Sequence, residues 1–143
     1  MVLQDKYYIE IRQKFINNFL DKDSDETHKE YFNNRILRSV DGLFHTGYFW
    51  DLFKNPKIVE EKLIYDFLNY LSSDIYVLWD NNIYIKDLKY PFFSVLKIQA
   101  NKVEEILPTL PIDFYLFDET YSWVFAFTHE NLGEKRYCLT VNR

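Results

Sequence analysis

The chain has 143 residues, 48% hydrophobic and 27% charged, a length and balance that predict one globular domain able to bury a core without a disulfide or metal staple. Its net charge of −5 argues against general nucleic-acid binding, which needs cationic side chains to neutralise phosphates. No apolar run approaches the roughly 18 residues that a membrane-spanning helix needs.

The lone Cys138 has no partner for an internal disulfide, and Asp5 and Glu10 interrupt the N-terminal segment where a signal peptide would be apolar. Both point to a reducing, cytoplasmic setting. The aromatic share is 20%, with 13 Phe and 12 Tyr against alanine at only Ala100 and Ala126. Abundant Phe, Tyr, Ile, Lys and Asn all have AT-rich codons, so this bias fits a low-GC bacterial genome; a surface selected for aromatic contacts is the alternative.

In chain order, Tyr8, Ile11, Phe15 and Phe19 recur at spacings of three and four, which predicts a first helix capped by Asp5 and ending before Asp21. A second helix is expected from Asp23 or Ser24, with Glu26 or Thr27 at capping-box spacing and a stripe of Phe32, Ile36 and Val40. Asp41–Phe53 holds Gly42 and Gly47 and reads as an irregular loop whose aromatics fold back onto the core. Asn55-Pro56 predicts the start of a third helix to about Leu71, burying Val59, Leu63, Phe67 and Tyr70 or Leu71.

The second half reads as sheet. Strands are expected at Ile75–Trp79, Ile83–Lys86, Val95–Gln99, Ile112–Phe117, Trp123–Thr128 and Arg136–Val141, with turns at Asp80–Asn82, Asp118–Ser122 and Glu130–Glu134 and a short helix at Lys102–Leu107. Pairing Phe127 with Tyr137 and Phe117 with Trp123 puts Tyr115, Phe117, Trp123, Phe125, Phe127, Tyr137, Leu139 and Val141 on one face, taken as the helix-covered core. The other face, with Phe114, Leu116, Val124, Ala126, Cys138 and Thr140, is a second packed side or a contact surface.

Chemistry is sparse. Asp21-x-Asp23-x-Asp25 has Glu26 and Phe32 where a calcium loop needs Gly and Glu, so it reads as helix-cap residues. His28, His45 and His129 have no metal spacing, which leaves no expected metal or cofactor. His129 ends a strand beside Glu130, at a rim where sheet proteins place sites. Cys138 and His129 are too far apart in the expected register to form a nucleophile pair, and Cys138 reads as a small buried residue. Trp123-x-Phe125-x-Phe127 has the spacing of stacking aromatics in RNA-binding sheets, but the strand carries no Lys or Arg and reads as core. Three glycines, at Gly42, Gly47 and Gly133, form no phosphate loop, and there is no nucleophile elbow. Asp118 and Glu119 sit at a hairpin tip, where Asp is favoured by turn geometry; with Asp113 and Glu130 they also form an acidic protrusion suited to a basic partner.

The run from Pro111 to Glu130, with Asp-Phe-Tyr-Leu-Phe-Asp-Glu, Ser-Trp and Thr-His-Glu, resembles the C-terminal part of small bacterial proteins grouped with the immunity proteins of toxin systems. The resemblance extends faintly to Arg136–Cys138 and covers about a sixth of the chain. It implies a small acidic cytoplasmic α+β protein that blocks a toxin domain.

The expectation is therefore an α+β domain over residues 1–143, with about three N-terminal helices on a mainly antiparallel sheet of four to six strands. The expected function is non-catalytic protein binding, without nucleic acid or membrane, as a monomer or homodimer. Asp118, Glu119 and Glu130 would steer a basic partner, Tyr121 and Trp123 would anchor it as exposed aromatics, and His129 completes the candidate contact set. Two alternatives stand beside it: a small-ligand binder or enzyme using the His129/Glu130 rim, with Tyr121 or Asp113, and a homodimeric structural or regulatory protein.

Overall fold

The computed structural model describes residues 5–21, 39–40, 43–44, 48–80 and 95–143. In chain order these form α1 (Asp5–Phe19), β1 (Ser39–Val40), β2 (Leu43–Phe44), a 3₁₀ turn at Phe49–Leu52, β3 (Lys57–Val59), α2 (Glu61–Tyr70), β4 (Asp74–Leu78), β5 (Leu96–Gln99), α3 (Val103–Ile106), β6 (Phe114–Phe117), β7 (Trp123–Leu132) and β8 (Lys135–Asn142). The architecture is α+β. Six strands make one antiparallel sheet in the order β3-β8-β7-β6-β4-β5. β1 and β2 pair with each other. The Ile83–Lys86 strand and the expected second helix lie outside the described residues, except Val40 of its stripe, which is in β1 and pairs with Leu43.

α1 forms where its apolar spacing dictates. Tyr8, Ile11, Phe15, Ile16 and Phe19 are buried together. Phe15 stacks at ring-centroid distances of 5.0 Å from Phe117, 5.3 Å from Tyr115 and 5.8 Å from Phe49. The end of the helix is tied to the 3₁₀ turn by two backbone hydrogen bonds, Asp21 N–H to the Leu52 carbonyl at 2.7 Å and Lys54 N–H to the Phe19 carbonyl at 2.9 Å. The aromatics after Gly47 do fold back: Phe49, Trp50 and Phe53 join this core, together with Leu52. Part of the expected loop is nonetheless regular, because Leu43–Phe44 pairs with Ser39–Val40.

The third expected helix starts later than its Asn-Pro signal. Asn55 takes a left-handed φ of 47°, and Lys57–Val59 lies in the sheet, paired with Thr140, Leu139 and Cys138. Ile58 and Val59 are β-branched, and the open edge of β8 offers them partners. The helix then starts at Glu61 and buries Ile64 and Leu68 rather than Leu63, Phe67 and Tyr70, which stay exposed.

The strands stand close to their expected places, but their pairing is displaced by one residue. Phe117 pairs with Val124, and Phe127 pairs with Cys138. A one-residue slip moves side chains to the other face. Tyr115, Phe117, Val124, Ala126, Leu139 and Val141 therefore share the face under α1 and the 3₁₀ turn. Phe114, Leu116, Trp123, Phe125, Phe127 and Cys138 share the face under α2 and α3. Both faces are packed, which makes the sheet the middle of three layers.

Two local devices set this register. At the β6–β7 turn, Asp118 accepts the Tyr121 N–H on its carbonyl (3.1 Å) and the Thr120 N–H on Oδ1 (3.0 Å), which holds Tyr121 at a φ of 51°. Near the β7–β8 turn, Thr128, His129 and Glu130 stand opposite Tyr137 alone, between the pairs Phe127–Cys138 and Asn131–Arg136. The backbone freed by this bulge is satisfied by side chains. The Thr128 hydroxyl donates to the Tyr137 carbonyl at 2.7 Å and accepts the Glu130 N–H at 3.1 Å, and Arg136 Nε donates to the Thr128 carbonyl at 2.9 Å. Gly133 closes the hairpin at φ 65°; a Cβ there would meet nothing within 4 Å, so its requirement is conformational.

Candidate functional site

The residues singled out from the sequence fall at opposite ends of β7. Asp118, Glu119, Tyr121 and Trp123 surround its start, while His129 and Glu130 lie at the bulge, about six residues and roughly 20 Å away along an extended strand.

At the first end, Trp123 is no exposed anchor. It is buried, with Phe67 and Phe125 at ring-centroid distances of 5.1 and 5.4 Å, and its indole N–H donates to Asp118 Oδ2 at 3.1 Å. Trp123 pairs with Asn142 at the end of the β7–β8 ladder, on the face that α2 covers. Tyr121 is half-buried against Phe117 (5.6 Å), and burial, then Tyr76 and Glu10, push its hydroxyl up to about 12. Glu119 is exposed. What faces outward here comes from α2. Leu63, Phe67 and Tyr70, at i, i+4 and i+7, line one stripe and are 55%, 37% and 90% exposed. Phe67 rests on Trp123 and Phe125, so the stripe is seated on the aromatic end of β7. Asp66 of α2 and Glu119 of the β6–β7 turn are exposed carboxylates.

At the second end, the bulge aims His129 at Asp113. Asp113 is buried and accepts three hydrogen bonds on Oδ2: from Trp50 Nε1 (3.1 Å), the His129 backbone N–H (3.2 Å) and His129 Nδ1 (3.0 Å). A carboxylate only accepts, so the tautomer that fits this contact is the one that donates its Nδ1–H to Asp113. Tyr48 and Trp50 stack at 5.4 Å, and the Tyr48 ring lies 5.1 Å from His129. Burial, then Asp113, Asp80, Asp51 and Glu130, raise the Tyr48 hydroxyl above its ordinary value. Glu130 itself is exposed.

Behind this pair lies a second carboxylate that the sequence reading placed in a turn. Asp80 is buried at the end of β4; its Oδ1 accepts the Phe49 N–H at 2.8 Å and its Oδ2 accepts the Tyr115 hydroxyl at 2.7 Å. The Tyr115 oxygen in turn accepts the Trp50 N–H at 3.1 Å. Arg12 is buried nearby, its guanidinium 4.6 Å over the Phe49 ring. Burial raises the Asp80 carboxyl to about 7 against the opposing pull of Tyr115, Phe49 and Arg12. Two buried carboxylates thus clamp the Phe49–Leu52 turn. Trp50 and Tyr48 carried no sequence signal as partners of His129; the only hint was the aromatic run after Gly47.

Cys138 is buried against the α2 face, and burial and Glu61 push its thiol up to about 12. That places it as a packing residue. Among the described residues no three His, Cys, Asp or Glu side chains gather as a metal site, and no described helix is long and apolar enough to cross a membrane. No protein-family model, curated protein or solved structure matches the chain.

Proposed function

We propose that the chain is a non-catalytic protein-binding module of the bacterial cytoplasm, acting as immunity proteins do, by covering a basic partner with acidic and aromatic contacts. The observation that carries this reading is the exposed stripe Leu63–Phe67–Tyr70, whose Phe67 rests on Trp123 and Phe125, with Asp66 exposed on the same helix and Glu119 exposed in the β6–β7 turn. Large aromatics on rigid support are the residues that dominate binding energy at protein interfaces, and neighbouring charges set the encounter rate. Trp123 serves as the floor of the contact and α2 as its surface. Asp118, committed to Trp123 and Thr120, positions the floor, and Glu119 steers.

The test is co-expression with the product of the neighbouring gene, followed by calorimetry. A 1:1 complex is expected. Phe67→Asp should weaken it at least tenfold with the fold intact, and Glu119→Lys should slow association at low salt. A complex indifferent to Phe67→Asp, or a chain that binds no neighbouring product, overturns the reading.

The Asp113–His129 pair favours a second reading, a small-ligand site at the rim. Asp113 orients the imidazole as a binding or proton-accepting group is oriented, while Tyr121 lies at the other end of the strand and takes no part. Ligand-dependent shifts of His129 Hε1 in NMR would support it; shifts elsewhere would remove it.

A further inference from the structure

The β6–β7 ladder ends at the Phe114–Phe127 pair. Just beyond it lie Asp113 on one strand and the bulge with His129 on the other. Side chains join the strands there. One is Asp113 itself, whose carboxylate accepts the His129 backbone N–H and meets its Nδ1. The other is Arg136 of β8, which reaches across the bulge. Its Nε donates to the Thr128 carbonyl at 2.9 Å, and its Nη2 donates to the Ile112 carbonyl. These two carbonyls belong to the residues immediately before His129 and Asp113.

The chemistry of the guanidinium makes this more than a pair of contacts. Nε and Nη2 donate from one edge of a rigid plane, so the spacing of the two carbonyls they hold is fixed by the group itself. The cation is also seated. Its centre lies 5.1 Å from the Phe127 ring and 5.5 Å from the Phe114 ring, and these rings stack on each other at 4.5 Å. That stack is the last pair of the ladder, so Arg136 rests on the paired sheet and holds the segments beyond it. Glu61 of α2 stands 3.9 Å from Nη1, with both side chains partly exposed. An ion pair so placed contributes little, which leaves the position of the guanidinium to the two carbonyls and the aromatic seat.

We propose that Arg136 is the positioning residue of the His129–Asp113 pair: one edge of its guanidinium brackets the Ile112 and Thr128 carbonyls, and so keeps the imidazole and the carboxylate that follow them in contact. The inference does not rest on the rim binding a ligand. It concerns the free chain, so it can fail while the rim binds and hold while the rim binds nothing.

The test is ¹⁵N NMR of the full chain. In the wild type, Arg136 Nε–H should exchange with solvent at least tenfold more slowly than Arg143 Nε–H, and His129 should hold its proton on Nδ1. Arg136→Met keeps an apolar stem against Phe127 and removes every donor. It should lower the share of that tautomer and speed exchange of the His129 amide at least tenfold relative to the Phe125 amide. Arg136→Lys keeps the charge but offers a single nitrogen, so it should not restore the wild-type ratio. Glu61→Gln should change the ratio less than twofold. The proposal is overturned if Arg136 and Arg143 Nε–H exchange equally fast, a result that needs no variant to fold. It is also overturned if Arg136→Met leaves the tautomer unchanged, or speeds His129 and Phe125 alike, which would mark a general loosening. Wild-type behaviour of Arg136→Lys, or an effect of Glu61→Gln as large as that of Arg136→Met, overturns it by assigning the role to charge.

Discussion

The two faces of the sheet are both covered, but by different physics. Under α1, the cover is wired: Asp80, Tyr115, Asp113 and the Trp50 indole hold an aromatic turn through buried hydrogen bonds. Under α2, the contact is almost entirely apolar, and α2 keeps a second apolar stripe turned outward. A buried polar network fixes one arrangement because each missing partner leaves an unsatisfied group. An apolar contact tolerates sliding and leaves its outer side open for others. The difference assigns shape-keeping to the first face and leaves the second with the stripe proposed as a contact surface.

Removing Phe15 tests the wired side most severely. It is fully buried among Phe19, Phe49, Tyr115 and Phe117, and Phe15→Ala should lower unfolding stability by about 3–5 kcal/mol in a denaturant titration. Asp80 tests it by pH. Burial raises its folded carboxyl to about 7 from the ordinary 3.8, so between those values the folded chain holds a proton that the unfolded chain has released. The stability this group contributes is full at acid pH and falls as pH rises through that window, by up to about 1.4 kcal/mol per pH unit. Asp80→Asn should remove that slope, read as the difference between wild-type and variant stability curves from pH 4 to 8; an unchanged slope would show that Asp80 does not titrate there.

Asp113→Ala orphans the Trp50 indole N–H and releases His129, at a cost of roughly 1–3 kcal/mol. Hydrogen exchange should quicken at Phe49–Leu52 and stay constant in α2, which marks the division between the faces. The smallest effect belongs to the outward stripe of α2: Tyr70→Ser, at a residue 90% exposed, should change stability by less than about 0.5 kcal/mol. A larger loss would mean that the stripe is structural.

Element identity was readable wherever one signal spoke alone. Tyr8, Ile11, Phe15 and Phe19 carry a clean helical period, and Ile75–Trp79 and Trp123–Thr128 carry dense β-formers. Pairing was less readable, because register depends on how turns are held. The Asp118 side chain and the surplus of Thr128–Glu130 each displaced it, and no local composition encodes either. The same displacement changed the company of Trp123: it shares a face with Phe125 and Phe127, as their alternation predicts, but with Phe114, Leu116 and Cys138 in place of Tyr115, Phe117 and Leu139. Around α2, the stripe Leu63–Phe67–Tyr70 and the pair Ile64–Leu68 both have helical spacing, and only the tertiary fold decides which goes in. The site at His129 was half visible. The strand was expected to end at Thr128 beside His129, whereas β7 runs on to Leu132 and holds His129 in its bulge, and Trp50 and Tyr48 reach it from some eighty residues away.

The bulge in β7 has a consequence for how this hairpin can change over generations. Its surplus is an even number of residues, so side chains before and after it keep the same in-and-out phase. Pairs of residues can therefore be gained or lost beyond Phe127 without turning the interior inside out, and the protruding arm can vary its reach while the body beneath it stays constant.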